Sequence, residues 1–316
     1  MGISRRAAIA AVSLLSAVSL AACGGSASNS STGAASGAAS ASASSGDGKV
    51  TVLAAASLQG AFEEIEKTVE KDNPGLDVTF DFQGSQDLVS SLAGGNSADV
   101  LATANNSTMK TAAEQKLVGD QTEFATNVLT LIVPKGNPKK ITGLDSSLDG
   151  ANLVICAPEV PCGEATQKLS SALGVTLNPA SEEQKVTDVR GKVESGEAQA
   201  GIVYTTDAAR AGDKVEAIAL PPNSVINHYP IALTKSATNP QAAQAFIDYV
   251  LSPEGQKVLQ DTYGFGAPGA ASGTTATPAA TPTTTGTQAG TPTGTGTPAP
   301  AQTATPGAAQ TLAANN

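Results

Sequence analysis

Four turns between predicted strands and helices carry small or hydroxylated residues that could hold an anion. Two of these turns end in the serines Ser57 and Ser85, and the other two cover residues 158–163 and 187–190. The start of a helix exposes unpaired backbone N–H groups and carries the positive end of the helix dipole. Several helix starts directed at one cleft would therefore bind an anion without any Lys or Arg. The two serine hydroxyls would add further donors.

A single serine at the start of a helix is ordinarily a cap, which contributes roughly 0.5–2 kcal/mol to stability. The prediction of an anion site therefore depends on the whole set of turns. An enzyme is disfavoured because no nucleophile is paired with a base. The only histidine, His228, lies in a predicted loop without a supporting motif.

Strands and helices alternate along residues 49–267, which predicts parallel sheets covered by helices. The first unit has predicted strands at 50–55, 76–82 and 98–103, with helices at 58–71, 86–93 and 106–116. The second has strands at 151–156, 200–203 and 214–219, with helices at 163–173, 187–195 and 205–211. Ligands bind between two such lobes, at the carboxyl ends of parallel strands.

The chain is predicted to cross between the lobes near residues 125–130 and to return near 229–234. The first lobe then takes about 49–124 and 232–267, and the second about 125–231. This two-lobed domain accounts for the whole predicted globular part of the chain.

The N-terminus is predicted to be a targeting segment and not part of the fold. Arg5 and Arg6 precede an apolar run over 7–22, which is shorter than the ~20 residues that a membrane-spanning helix needs. The ending Leu-Ala-Ala before Cys23 resembles a bacterial lipoprotein signal, which implies cleavage before Cys23 and lipid attachment to its sulfur. Residues 1–22 are therefore interpreted as a signal peptide.

Two biased segments flank the predicted domain. Residues 23–48 are mostly Gly, Ala, Ser and Thr, and residues 268–316 are built from Thr, Pro, Ala and Gly. Neither composition can bury enough apolar surface to offset the entropy of ordering. We predict a flexible, lipid-anchored linker before the domain and a disordered tail after it.

Charge and cysteine content limit the kinds of partner. The whole chain has a formal net charge of -10 and no basic patch, which argues against nucleic acid. Cys156 and Cys162 are the two cysteines of the predicted domain. In an exported protein they favour a disulfide, with two free thiols as the alternative. A metal site is disfavoured because no second Cys pair accompanies the single histidine.

Several sequence blocks occur in an order typical of one protein family. They are residues 50–58, Gly84-Ser85 with Leu88, 98–100, 188–191, 201–204 with Asp207-Ala208, and 263–265. Together these blocks resemble the molybdate-binding proteins of bacterial molybdate ABC importers. The resemblance implies an α/β fold of the two-lobed periplasmic-binding-protein type (type II) with a two-strand hinge, without enzymatic activity and without a cofactor.

The resemblance also implies a role and a location. The protein would be a monomer, lipid-anchored at the outer face of the cytoplasmic membrane, that delivers molybdate or tungstate to a membrane permease. Ser57, Ser85 and Tyr204 would bind the oxyanion through hydroxyls, and Cys162 and Val189 through backbone N–H groups. Molybdenum or tungsten would enter only as the oxyanion. Cys162 stands where the family usually has alanine, and a backbone donor tolerates this change.

Other functions remain compatible with the residues. The same fold could bind sulfate, phosphate, a phosphonate or a small organic acid. A shell made only of donors disfavours an anion that carries a proton, since that proton would face another donor. The long Thr/Pro tail would suit a structural surface lipoprotein, although that interpretation leaves the set of strand-to-helix turns unexplained.

Overall fold

The computed structural model describes residues 48–269. The predictions for the signal peptide, for Cys23 and the linker that follows it, and for the tail beyond residue 269 lie outside the described residues. Within 48–269, no helix has the length and apolar character needed to cross a membrane.

The described residues form two five-stranded sheets, each with covering helices. The strands are β1 Gly48–Ala55, β2 Leu76–Gln83, β3 Val100–Ala102, β4 Val118–Asn127, β5 Leu129–Pro134, β6 Leu153–Cys156, β7 Ser181–Glu183, β8 Ala200–Tyr204, β9 Val215–Ile218 and β10 Asn227–Thr234. The helices are α1 Gln59–Asp72, α2 Ser85–Ala93, α3 Asn106–Glu114, α4 Pro161–Leu173, α5 Val186–Glu194, α6 Thr205–Ala211, α7 Pro240–Leu251 and α8 Pro253–Lys257.

The two sheets have matching topologies. The first has the order β2-β1-β3-β10-β4, and the second has the order β7-β6-β8-β5-β9. In each sheet the first three strands are parallel and the last two join antiparallel. These are the two α/β lobes that the alternation of strands and helices predicts.

Local sequence explains the packing of each lobe. On α1 the buried side chains Phe62, Ile65 and Val69 recur at helical spacing and face the first sheet, where Val50 and Val52 of β1 are fully buried. The strand β6 and the second half of β1, Val52–Ala55, are apolar on both faces, as expected for parallel strands with helices on either side. Each lobe therefore has its own core, which leaves the strand ends between the lobes available for a site.

The chain crosses between the sheets twice. β4 ends at Asn127 and β5 begins at Leu129 in the other sheet, which places the first crossing at Val128, inside the predicted 125–130. The second crossing lies at residues 219–226, earlier than the predicted 229–234. The reason is that β10 pairs with β4 from its first residue, where Asn227 lies opposite Asn127, so the whole of β10 belongs to the first sheet.

Candidate functional site

A small cavity lies between the two lobes at the carboxyl ends of their parallel strands. Its lining comprises Ala55, Ala56, Ser57, Gln83, Gly84, Ser85, Ala104, Val160, Pro161, Cys162, Lys185, Val186 and Tyr204. Its volume is about 10 Å³, roughly the space that one water molecule needs. In this conformation the cavity therefore excludes a sugar or a peptide.

Five helices begin at this cavity, and none of them has a side-chain cap. Their N-cap residues all line the cavity: Ala55 for the 3₁₀ turn Ala56–Leu58, Gly84 for α2, Val160 for α4, Lys185 for α5 and Tyr204 for α6. Of the helical segments that begin elsewhere, α3, α7, α8 and the 3₁₀ turn Ser146–Leu148 are capped by a side chain. The others, α1 and the turns Gly212–Lys214 and Val258–Thr262, have no side-chain cap, but each continues directly from the helical segment before it. Five uncapped helix starts therefore lie at one place, as an anion site requires.

The backbone bonds identify which amides remain available. In α5 the Asp188 N–H bonds the Lys185 carbonyl, which leaves the earlier amides of Val186 and Thr187 without an intrahelical acceptor. In α4 the Glu164 N–H bonds the Val160 carbonyl, and the amide of Cys162 precedes it. The second lobe therefore offers donors from two helix starts.

The structure places Val189, which the sequence predicted to donate its N–H to a ligand, away from the cavity. Val189 does not line the cavity. It is fully buried in the core of the second lobe, where its Cγ1 lies 2.9 Å from the position that a Cβ on Gly201 would occupy. Val186, one helical turn earlier, lines the cavity instead. The turn at 187–190 predicted a helix opening at residue 187, whereas α5 begins one residue earlier, at Val186, after Lys185 in an extended conformation.

The other four predicted ligand positions meet at the cavity. Ser57 and Ser85 lie on the first-lobe side, and Cys162 and Tyr204 lie on the second-lobe side. Neither serine caps a helix: Ser85 is the first residue of α2, and Ser57 lies inside the 3₁₀ turn. The ligand role of these residues is a proposal that the arrangement supports.

Two of the three hydroxyl groups at the cavity, those of Ser85 and Tyr204, already accept hydrogen bonds from the protein. The Ala104 N–H donates to Ser85 Oγ over 3.1 Å, and Asn227 Nδ2 donates to the Tyr204 hydroxyl over 2.7 Å. Ser57 Oγ lies 3.0 Å from the hydroxyl of Tyr229. Where a hydroxyl oxygen accepts, its own hydrogen is left to donate elsewhere.

Two buried tyrosines lie beside the cavity. Burial is the largest cause that raises the pKa of Tyr204, with the charges of Tyr229 and Asp207 adding to it. Burial likewise raises the pKa of Tyr229 far above its usual range. Both phenols therefore stay protonated at physiological pH. Among the lining residues Lys185 carries the only charge, so the surroundings of the cavity are almost entirely neutral.

The carboxyl group of Asp207 is buried in the second lobe, in the first turn of α6, which begins at the cavity. Burial raises the pKa of Asp207 from 3.8 to about 7, although the nearby guanidinium groups of Arg190 and Arg210 oppose the shift. Asp207 Oδ1 lies 3.3 Å from Arg190 Nη1, whereas Oδ2 has no hydrogen-bond partner within residues 48–269. The protonated form is therefore favoured more in the folded state than in the unfolded state.

This shift predicts a pH dependence of stability. The contribution of Asp207 is present below pH 4 and is lost as the pH rises through about 7, because the folded pKa is the higher one. Relative to Asp207→Asn, the wild-type protein should lose on the order of 4 kcal/mol of unfolding free energy over this range. Urea unfolding at several pH values measures the difference. The exposed Asp213→Asn should show no such loss, and a pH-independent difference for Asp207→Asn would contradict the assignment.

Cys156 and Cys162 form the disulfide that the sequence favoured. Their Cα atoms are 5.7 Å apart, and the bridge joins the end of β6 to the first turn of α4. The disulfide ties the backbone at Cys162 to β6, an inner strand of the second sheet. The bridge therefore restrains one of the donors at the cavity.

The two lobes touch directly around the cavity. Glu164 of α4 accepts bonds from Asn105 Nδ2 over 2.6 Å and from Ser107 Oγ over 2.5 Å. On another side, Gln86 Nε2 donates to the Gln184 carbonyl over 3.1 Å. These contacts place the lobes in a closed arrangement.

Sequence reasoning missed Val186, Asn227 and Tyr229. Asn227 and Tyr229 are polar groups at the start of an apolar strand that joins the lobes, and both side chains are buried. The signal available in the sequence was two polar residues at the start of a largely apolar strand, because a polar side chain buried with such a strand needs a specific partner.

The chain resembles known bacterial binding proteins over most of the described residues. Residues 50–266 match the family model described as bacterial extracellular solute-binding protein. The molybdate-binding protein ModA of Mycobacterium tuberculosis is 42% identical over 222 residues, which cover 69% of this chain and 85% of the relative. ModA of Escherichia coli is 34% identical over 238 residues, with coverages of 69% and 89%.

Solved structures show the same fold at lower sequence identity. The periplasmic molybdate-binding protein of Azotobacter vinelandii matches with a TM-score of 0.62 and 19% identity, over 69% of this chain and 99% of that one. The sulfate-binding protein SubI of Mycobacterium tuberculosis matches with a TM-score of 0.58 and 20% identity, over 69% and 86%. The two proteins are named for different ligands on one fold, so the ligand must be argued from the site.

Proposed function

Because the chain belongs to the bacterial extracellular solute-binding proteins, and within them to the ModA molybdate-binding proteins, we propose that it captures molybdate or tungstate outside the cytoplasmic membrane. It then delivers the ion to the membrane permease of an ABC importer. We further propose that it acts as a lipid-anchored monomer held through Cys23, without a cofactor and without catalysing a reaction. The observation that carries the proposal is the convergence of five uncapped helix starts on one small cavity.

The donor set explains how an acidic protein can hold an anion. The chain has a net charge of -10, yet the proposed ligands are backbone N–H groups and hydroxyls, which carry no charge. Hydrogen bonds to a charged partner contribute more than neutral ones, about 1.5–3 kcal/mol each. The proposed donors are the hydroxyls of Ser57, Ser85 and Tyr204 and the amides of Cys162 and Val186.

The same donor set accounts for selectivity. An anion without a proton can accept from every donor, whereas the O–H of a protonated anion finds no acceptor among the backbone N–H groups. Two of the three hydroxyl oxygens, those of Ser85 and Tyr204, already accept hydrogen bonds from the protein. Sulfate also carries no proton, but its bonds are shorter than those of molybdate. A shell sized for the larger ion leaves hydrogen bonds to sulfate long and weak.

Binding is coupled to closure of the lobes. Ser57 and Ser85 come from the first lobe and Cys162, Val186 and Tyr204 from the second, so one small ion can reach both sets only when the lobes are closed. A ligand that contacts both sides in one state shifts the population toward that state. The permease would recognise this closed form.

Calorimetry with molybdate, tungstate, sulfate and phosphate tests the proposal. We expect molybdate and tungstate to bind at least tenfold more tightly than sulfate, a difference of about 1.4 kcal/mol. Phosphate, which carries a proton near neutral pH, should bind more weakly still. Sulfate binding as tight as molybdate binding would overturn the assignment of the ligand.

A serine variant tests the site itself. Ser57→Ala removes one hydroxyl donor and should weaken molybdate binding by about 10- to 150-fold, the loss of one hydrogen bond to a charged group. Ser90→Ala is the matched control, because Ser90 is exposed on α2 and its hydroxyl bonds the Gln86 carbonyl. Equal affinities of the two variants would exclude Ser57 from the ligand shell. Ser85→Ala should weaken binding and also lower stability, since it leaves the buried Ala104 N–H without its acceptor.

A further inference from the structure

Asn227 occupies the hinge between the lobes and touches both of them. It is the first residue of β10, and its side chain is buried, with 6% of the residue exposed. Asn227 Nδ2 lies 2.8 Å from the Ala104 carbonyl oxygen of the first lobe. In the second lobe it lies 2.7 Å from the Tyr204 hydroxyl and 3.4 Å from the Pro161 carbonyl oxygen. These three partners meet beside the cavity, whose lining includes Ala104, Pro161 and Tyr204.

The orientation of the Asn227 amide follows from its carbonyl partners alone. A carbonyl oxygen can only accept a hydrogen bond. Two carbonyl oxygens face one end of the amide, so that end must be the NH₂ group, because the amide oxygen would face two acceptors there. The hydrogen bond to Tyr204 therefore runs from Asn227 to the phenol.

This direction determines what the phenol of Tyr204 can do. Its oxygen accepts from Asn227, so its single hydrogen must be directed away from Asn227. That hydrogen can point toward the hydroxyl of Tyr229, which interacts with Tyr204, or into the cavity. An anion in the cavity attracts that hydrogen, and the phenol becomes a donor to it.

We propose that Asn227 is a positioning residue that holds the Tyr204 hydroxyl as a hydrogen-bond donor and thereby makes the cavity select oxyanions that carry no proton. Asn227 does not line the cavity and acts through Tyr204. This inference rests on the proposed oxyanion-binding function. It adds a selectivity determinant outside the ligand shell.

A double-mutant cycle with Asn227→Leu and Tyr204→Phe tests the coupling. Leucine has a similar size and removes the donor. In calorimetry with molybdate, Asn227→Leu should weaken binding about tenfold when Tyr204 is present and less than about twofold in the Tyr204→Phe background. Equal losses in both backgrounds would assign Asn227 a purely structural role and overturn the proposal. Asn223→Leu, in an exposed loop, is the matched control and should bind as the unmutated protein does.

The affinity ratio of molybdate to inorganic phosphate provides a second readout. Without Asn227 the Tyr204 hydroxyl can turn and accept the proton of phosphate, so the ratio should fall about tenfold in Asn227→Leu. A structural defect would weaken the binding of molybdate and of phosphate by the same factor, so an unchanged affinity ratio would contradict the proposal. Should Asn227→Leu not fold, Asn227→Ser applies the same two measurements, because serine keeps a polar group there but is one bond shorter. If the unmutated protein does not bind molybdate, the proposed function fails, whereas the inference alone fails if binding is normal and the coupling is absent.

Discussion

Gly84→Ala should weaken oxyanion binding by roughly 10- to 100-fold while leaving the unliganded protein folded. Gly84 faces the other lobe, and a Cβ there would lie 2.3 Å from the backbone oxygen of Gln184. Overpacking of this kind costs about 1–3 kcal/mol, and each 1.4 kcal/mol corresponds to about a tenfold change in affinity. The added Cβ would also lie 2.4 Å from Nε2 of Gln86 in the same lobe, but that is the end of a flexible side chain that can move aside. The clash with the Gln184 backbone arises only when the lobes approach each other, so it penalises the closed form.

The backbone of Gly84 gives no other reason for a glycine. Its φ of -61 and ψ of 139 are accessible to alanine, so the substitution introduces no backbone strain. Calorimetry with molybdate measures the loss of affinity, and thermal unfolding without ligand measures the retained stability. The matched control is Gly191→Ala, where no atom lies within 4 Å of the added Cβ. If Gly84→Ala binds as tightly as Gly191→Ala, the closed arrangement described here is not the binding form.

Val186→Pro should weaken oxyanion binding by about 10- to 150-fold, the contribution of one hydrogen bond to a charged group. Proline lacks the N–H that Val186 directs at the ligand in the proposed site. Proline is well tolerated at the first position of a helix, and Val186 holds that position in α5. The preceding residue, Lys185, already has the extended conformation that proline requires, with φ -153 and ψ 149.

Two further valine variants make this prediction specific. Val186→Ala keeps the amide and should bind within about threefold of the unmutated protein, since a neutral side-chain change leaves the hydrogen bond in place. Val189→Ala opens a cavity in the core of the second lobe and should lower the free energy of unfolding by more than it changes affinity. Calorimetry and urea unfolding of the three variants separate these effects. Normal binding by Val186→Pro would remove Val186 from the donor set.

The two substitutions test different requirements of one site. Gly84→Ala leaves the donors intact and opposes the approach of the lobes, whereas Val186→Pro leaves the lobes free to close and removes a donor. A loss of binding in both would indicate that the ion is held by donors from two lobes at once. Neither variant changes a charged group, so added salt should change the affinity of each variant for the oxyanion by the same factor as in the unmutated protein.

Much of the fold of this protein can be predicted from short stretches of its sequence. The helical spacing of Phe62, Ile65 and Val69 and the apolar strand β1 are sufficient to predict an α/β unit, because periodicity reflects which face is buried. The family resemblance and the Cys156–Cys162 disulfide were also accessible from the sequence, and both are confirmed. The idea of an anion site came from the residue types at strand-to-helix turns, which are local features as well.

Tertiary structure decided which atoms meet at the site. The sequence block 188–191 pointed to Val189, which lies in the core and not at the cavity, because a match of four residues does not determine where the first helical turn begins relative to the cleft. The need for glycine at position 84 depends on Gln184, which is remote in sequence and belongs to the other lobe. Asn227 likewise has its role through Ala104 and Tyr204, which come close only when the hinge strands bring the lobes together. Secondary structure depends on neighbours along the chain, whereas a site shared by two lobes depends on contacts between distant segments, and no local pattern encodes those.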